Sequence, residues 1–139
     1  MRDLSHDDWK ARAEGLTFRH QAFINGRFVP AASGKTFDSV NPATGRVLAK
    51  VAACDAEDID RAVAAGRRAF EAGHWSRMAP GDRKAVLLTL ADLIRANLEE
   101  MALLDSLDMG KLVTDAVTVD APGSAHFFQW SAEAIDKVY

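Results

Sequence analysis

The sequence has a single cysteine, Cys54, among its 139 residues. One thiol cannot form an intrachain disulfide, and a lone thiol is typical of a reducing compartment, so we expect a cytoplasmic protein. Residues 1–8 lack the apolar core of a signal peptide. No run approaches the ~20 apolar residues that cross a bilayer, and we therefore expect no membrane partner.

The sequence also lacks an excess of positive charge. Its 17 lysines and arginines against 20 aspartates and glutamates give a formal net charge of −3. Without a positive field there is no general attraction to phosphate backbones, and we expect no nucleic-acid partner. Hydrophobic residues make up 48% and charged residues 27%, which is ordinary for a globular chain and argues against disorder. The length suits one domain or a piece of a larger one.

Complete catalytic motifs are missing as well. No glycine-rich phosphate motif occurs, because Gly110-Lys111 follows a helical pattern rather than a strand. The four histidines have no metal-ligand spacing with one another or with Cys54. The adjacent Asp55 carboxylate opposes ionisation of the Cys54 thiol, and no neighbouring base is visible. We expect neither catalytic nor cofactor-binding residues in this chain.

What is present is a change of hydrophobic period along the chain. Residues 1–16 predict a helical arm that Ser5 caps. Residues 22–52 alternate and contain turn sequences at 25–27 and 41–45, which predicts two hairpins or strands added to a sheet edge. Taken alone, hairpins followed by helices make an α+β fold.

Residues 55–139 have a helical period and clear end signals. Asp55 with Asp58, and Asn97 with Glu100, have the spacing of capping boxes. We read the clustered acids of residues 55–60 as helix-start residues rather than an acid–base pair. The remaining predicted signals are the stops Gly73 and Gly110, the first-turn proline Pro80, and Pro122-Gly123, which should start or break a helix.

Apolar side chains define the faces expected to be buried on these helices. The predicted sets are Ile59, Ala62, Val63, Gly66 and Phe70; Val86, Leu87, Leu90, Leu93 and Ile94; and Ala125, Phe128, Ala132 and Ile135. The last helix has no predicted stop before Tyr139, so we expect the segment 17–139 to be incomplete.

Two acids stand out by position. Asp108 lies where a helix should end, so its carboxylate could join backbone carbonyls around a cation or simply be solvated. Asp120 precedes the Pro122-Gly123 break and could face a cleft or cap the last helix.

Several segments in order are similar to those of one family. They are residues 23–28 (FINGRF), 37–45 (FDSVNPATG), 58–63 (DIDRAV) with Ala69-Phe70 and Trp75, 83–94 (RKAVLLTLADLI) and 103–111 (LLDSLDMGK). Together they cover residues 22–139 and resemble the N-terminal region of the aldehyde dehydrogenase superfamily. The arm before Phe23 and the ending 130–139 are most like γ-glutamyl-γ-aminobutyraldehyde dehydrogenases of putrescine breakdown.

This resemblance implies the N-terminal part of an α/β aldehyde dehydrogenase fold. It implies NAD(P)-dependent oxidation of an aldehyde, such as an aminoaldehyde, to a carboxylic acid, with a cysteine nucleophile and a glutamate that activates water. The family's nucleophile, base and NAD or NADP site lie beyond the stretch matching Tyr139, so the 139 residues alone are expected to be inactive. The implied partners are the remainder of the enzyme chain, a small aldehyde and further copies in a dimer or tetramer.

The resemblance also assigns roles residue by residue. The backbone of Val40 and the carboxylate of Asp108 match positions that help to hold a monovalent cation, K⁺ or Na⁺. Asp120, Gly123 and Phe127 match positions at the mouth of the substrate tunnel, where an acid near Asp120 attracts the amino end of an aminoaldehyde. Packing alone is the alternative for Phe127. For the whole chain, the alternative is a non-enzymatic α+β binding or assembly module with wide apolar helical faces.

Overall fold

The computed structural model describes residues 4–137, in which small β-hairpins precede a set of helices. The elements are α1 (His6–Glu14), β1 (Ala22–Ile24), β2 (Arg27–Val29), β3 (Thr36–Val40), β4 (Val47–Ala52), α2 (Ala56–Ala72), α3 (Pro80–Ala96), α4 (Leu98–Met109), α5 (Val113–Asp115), a π-helical turn (Ala116–Asp120) and α6 (Ala121–Ala134). None of these helices is long and apolar enough to cross a membrane.

Both predicted hairpins are confirmed. β1 pairs with β2 in antiparallel register, and the connecting residues Asn25 and Gly26 have φ of 53° and 75°. Positive φ at both central positions suits the right-handed twist of the strands. β3 pairs with β4 as a separate two-stranded sheet, and the register shifts at Ser39/Val40.

Helix ends that depend on local chemistry form as predicted. The Ser5 and Asp55 side chains each belong to a complete capping box, with Asp8 and Asp58 as the third helical residues. Such boxes satisfy amide donors that a helix start leaves unpaired. Pro80 lies in the first turn of α3.

The capping box predicted at Asn97 is wrong. The Asn97 side chain donates its amide hydrogen backwards, to the carbonyl of Leu93 at 2.8 Å, and caps nothing in α4. The amide therefore closes the end of α3, and Glu100 has no reciprocal role.

The prediction that Pro122-Gly123 starts or breaks a helix is correct for the start of α6, which begins at Ala121 with Pro122 in its first turn, but the chain does not leave the helical conformation there. The backbone is helical at Asp115, Asp120 and Ala121, so α5, the π-helical turn and α6 follow one another without a break. The amide of Ala121 donates to the carbonyl of Ala116, five residues back. This wider turn just before Pro122 accommodates a residue that lacks an amide hydrogen. Asp120 makes no side-chain cap for α6, so that alternative is excluded.

The buried core consists mainly of small side chains. α3 packs along α6, and α4 packs on the π-helical turn. One cluster contains Ala102, Ala116, Val117 and Ala121, with Trp9 and Leu98 packed against it. Alanines at these crossings let helical backbones approach closely.

Many apolar side chains predicted to be buried are instead exposed. On α2, Ile59, Val63 and Phe70 are 57%, 64% and 64% exposed, and Leu93 on α3 is 56% exposed. Ile94, Ala125 and Ala132 are buried as predicted. The period therefore located the apolar stripes but not the buried faces: on α3, Val86 and Leu90 are also exposed, and no described element covers the stripe of α2.

Candidate functional site

The first candidate site lies where α4 ends against the second hairpin. The hydroxyl of Ser39 donates a hydrogen bond to Oδ1 of Asp108 at 2.9 Å. Two residues later, Gly110 turns the chain with φ of 78°, and a Cβ there would lie 2.8 Å from Cγ of Pro42. This close approach fixes the end of α4 beside Ser39 and Val40, so the predicted cation residues do lie in the same region.

The donor set at this place is oxygen-rich but incomplete. Asp108 is exposed and offers a carboxylate, and carboxylate and carbonyl oxygens suit hard cations. Across residues 4–137, no group of three or more acidic, histidine or cysteine side chains is arranged to hold a metal ion. Asp108 also borders an open groove of about 940 Å³ between residues 15–19, the second hairpin and α4. Asp108 and its neighbours Ser39 and Val40 could thus supply some, but not all, of the oxygen ligands of a hard cation.

The second candidate site is the face carrying Asp120, Gly123 and Phe127. Spacings of three and four residues put the three on one side of the helical segment. A Cβ added at Gly123 would meet no atom within 4 Å, and the Phe127 side chain is 72% exposed. The three residues predicted for the tunnel mouth therefore share an open, partly apolar surface that ends in a carboxylate.

A residue that the sequence did not reveal, Lys111, controls this carboxylate. Its Nζ contacts Oδ2 of Asp120, and the two side chains are 30% and 37% exposed. Oδ2 is buried, and within the described chain it accepts no hydrogen bond with suitable geometry. Its contact with Nζ of Lys111 is therefore an ion pair. Contact with Asp120 is the main cause that raises the pKa of the Lys111 ammonium above 10.5, against partial desolvation, and Asp105 and Asp115 add to the effect.

Lys111 lies in the segment 103–111 that resembles the family, but no spacing or motif in the sequence indicates that it pairs with Asp120. Its actual role depends on two turns: the left-handed Gly110 before it, and the π-helical turn that ends at Asp120. The Ser106 hydroxyl donates to the Lys111 carbonyl at 2.7 Å and holds this loop against α4.

A second residue whose role was missed is Asp58, a fully buried carboxylate. Both of its oxygens lie 3.1 Å from the amide of Ala32, and Oδ1 lies 3.4 Å from the Arg61 guanidinium. The prediction of a helix-start acid is correct, since Asp58 completes the Asp55 capping box, but it omits the bond to the loop after β2. The Asp58 carboxylate therefore joins the hairpin to α2. Because these partners satisfy its hydrogen-bonding capacity, it is not a candidate acid or base.

Comparisons with known proteins define the family to which the chain belongs. Residues 28–139 match the Aldehyde dehydrogenase family, and the chain belongs to that family.

Individual relatives narrow the similarity further. The chain is 48% identical to the aminoacetaldehyde dehydrogenase of Pseudomonas aeruginosa, an alignment that covers 98% of this chain and 27% of the relative. It is also 48% identical to the NADP/NAD-dependent aldehyde dehydrogenase PuuC of Escherichia coli, over 94% of this chain and 26% of the relative. The chain therefore spans about a quarter of the length of these relatives.

Solved structures show the same likeness in three dimensions. A γ-glutamyl-γ-aminobutyraldehyde dehydrogenase from Burkholderia cenocepacia superposes with a TM-score of 0.95 at 52% identity, covering 97% of this chain and 27% of that one. An indole-3-acetaldehyde dehydrogenase with NAD⁺ gives a TM-score of 0.96 at 52% identity, covering 98% and 28%. The predicted α/β aldehyde dehydrogenase-like fold of an N-terminal part is confirmed.

Proposed function

We propose that this chain is the N-terminal portion of an NAD(P)-dependent aldehyde dehydrogenase, which oxidises an aldehyde to its carboxylic acid. The observation that carries the proposal is the superposition of nearly the whole chain on a quarter of such enzymes. The chain lacks a glycine-rich phosphate motif, and its exposed Cys54 has no base beside it in sequence. The nicotinamide cofactor, as NAD or NADP, would be bound by residues outside this span, and the 139 residues alone would be inactive.

The substrate class we propose is an aminoaldehyde, with γ-glutamyl-γ-aminobutyraldehyde among the members. Two of the relatives act, by name, on aldehydes that carry an amino or γ-glutamyl-amino group. The open face of Asp120, Gly123 and Phe127 supports the same class. The carboxylate offers a counter-charge, the missing side chain at Gly123 leaves width, and the exposed ring of Phe127 can contact a methylene chain.

We also propose that Asp108 and the backbone of Val40 contribute to a monovalent cation site, for K⁺ or Na⁺. Support comes from the hydroxyl of Ser39 and the carboxylate of Asp108, which lie within 2.9 Å of each other next to Val40. Hard monovalent cations prefer oxygen donors of this kind. A further ligand would come from outside the described residues.

The test is an assay of the full coding sequence, expressed and purified. Reduction of NAD⁺ and of NADP⁺ would be followed with aminoaldehydes and with unsubstituted aldehydes of equal length. We expect turnover with preference for the aminoaldehydes, stimulation by K⁺ or Na⁺, and a dimer or tetramer by light scattering. Absence of any aldehyde-dependent cofactor reduction would overturn the proposal.

Cell fractionation would test the expected cytoplasmic location. The soluble cytoplasmic fraction should contain the activity. Recovery of the protein in an extracellular or membrane fraction would contradict it.

A further inference from the structure

The tunnel-mouth face has a feature that its proposed role does not explain, because its acid is already paired. Asp120 is not a free carboxylate: its Oδ2 contacts Nζ of Lys111. Both side chains are about one-third exposed, so a ligand on this face can reach the pair from solvent. A cationic ligand would therefore meet a carboxylate whose charge Lys111 already balances from its buried side.

The loop around Lys111 keeps it in that position. The left-handed Gly110 packs against Pro42, and the Ser106 hydroxyl binds the Lys111 carbonyl at 2.7 Å. On the other side, Asp120 lies at the end of the π-helical turn. The backbones on both sides are held independently of the ion pair, so the ammonium is directed at Asp120 by the fold.

We propose that Lys111 is a specificity-determining residue of the aldehyde site, which limits the attraction of Asp120 for cationic substrates. This inference rests on the proposed function of the face. With Lys111 in place, the pair presents little net charge, so the preference for amino-substituted aldehydes is smaller than a free carboxylate would give. Without Lys111, the carboxylate would be released and selectivity would shift towards aldehydes with an ammonium group.

The test is a double-mutant cycle in the complete protein, with Lys111→Met, Asp120→Asn and the double variant. The measured quantity is the ratio of KM for an aminoaldehyde to KM for an unsubstituted aldehyde of equal length. We expect Lys111→Met to lower this ratio about three- to fivefold, the strength of an exposed ion pair. The change should vanish in the Asp120→Asn background.

Control variants separate this role from simple stabilisation. Lys111→Arg keeps the charge and should leave the ratio unchanged. Lys50→Met removes a lysine of the second hairpin that pairs with Asp38 at 2.8 Å, and it should also leave the ratio unchanged. If Lys111→Met does not fold, Lys111→Gln provides the same loss of charge. An unchanged ratio in the neutral variant, or an equal change when Asp120 is Asn, would overturn the inference.

A binding measurement keeps this outcome distinct from failure of the proposed function. Calorimetry with butylammonium as the probe needs no turnover. Tighter binding in Lys111→Met than in the wild type, lost again in the double variant, supports the inference even if no aldehyde is oxidised. Equal binding in all variants overturns it even if the enzyme is active.

Discussion

At the scale of single residues, burial separates acids that build the fold from acids that face a ligand. Asp58 has no exposed surface and is satisfied by the Ala32 amide and the Arg61 guanidinium. Asp108 and Asp120 remain reachable from solvent. A sequence shows the same residue type at all three positions, so only the folded chain distinguishes their roles.

Replacing Asp58 by Ala should lower the free energy of unfolding by about 2–4 kcal/mol. The substitution removes the buried acceptor of the Ala32 amide and a capping residue of α2. Urea denaturation followed by circular dichroism measures this change. Asp60→Ala, on the exposed part of the same helix turn, should stay within about 0.5 kcal/mol of the wild type. A loss at position 58 no larger than at position 60 would contradict the role of the buried carboxylate.

At the scale of elements, two glycines in helical regions have opposite requirements. Gly110 ends α4 with φ of 78° and is packed against Pro42. Gly66 lies within α2, and a Cβ there would meet nothing within 4 Å. Gly110 has no room for a side chain and adopts a backbone conformation that other residues rarely adopt. Gly66 has the ordinary conformation of a helix and open space beside it.

Gly110→Ala should therefore destabilise the chain by about 2–3 kcal/mol, since left-handed strain and contact with Pro42 add together. Gly66→Ala should stabilise it by about 0.5–1 kcal/mol through the higher helix propensity of Ala. Thermal denaturation of the two variants in the same buffer provides the comparison. Equal effects at both positions would show that the packing of α4 on the hairpin turn is unimportant.

A second property of elements is the ion pair between α3 and the residues after α6. Lys84 donates to Asp136 at 2.7 Å, which lowers the pKa of that carboxyl from 3.8, against partial desolvation, with Lys137 assisting. A carboxyl whose pKa is lowered by folding stabilises the native state above its unfolded pKa. That contribution is lost as the pH falls through the folded value.

The Tm of the wild type should therefore exceed that of Asp136→Asn at about pH 6, and the difference should shrink below about pH 4 and vanish near about pH 2. Lys84→Met should remove the same pH-dependent increment, and the double variant should lose no more. Calorimetric scans over this pH range measure it. A difference that persists at low pH would indicate packing rather than charge.

At the scale of the whole molecule, exposed apolar surface is the dominant feature. The α2 residues Ile59, Val63 and Phe70 and the α6 residues Phe127 and Trp130 are each more than half exposed. The chain also spans only about a quarter of its curated relatives. We expect the α2 face and Trp130 to pack against the remainder of the enzyme, and Phe127 to line the proposed substrate tunnel.

The 139-residue chain alone should bind an apolar dye and self-associate, because apolar patches of this extent promote association. Val63→Glu and Phe70→Glu together should reduce dye binding, whereas Ala64→Glu, on the polar side of α2, should not. Dye fluorescence and light scattering are the measurements. In the complete protein, the same two substitutions should instead lower the stability. A wild-type 139-residue chain that is monomeric and binds no dye would contradict the prediction that its apolar faces are exposed.

The limits of sequence prediction follow the same scales. Capping at Ser5 and Asp55 and the turn at Asn25-Gly26 were predictable, because the determining residues are neighbours in the chain. The Lys111–Asp120 pair was not, because it depends on the left-handed Gly110 before Lys111 and on the π-helical turn that ends at Asp120. The apolar face of α2 was identified, but periodicity carries no information about what covers a face.

The π-helical turn at Ala116–Asp120 makes the tunnel-mouth face sensitive to chain length. A turn closed by a bond five residues back holds one residue more than an α-helical turn. Deleting one residue there would restore ordinary helix and rotate everything on its carboxyl side by about 100° relative to what precedes it. Gly123 and Phe127 would then leave the side on which Lys111 lies. In homologous chains, the length between Lys111 and Pro122 should consequently be under selection as strongly as the residues themselves, and single-residue gaps should be rare in this interval.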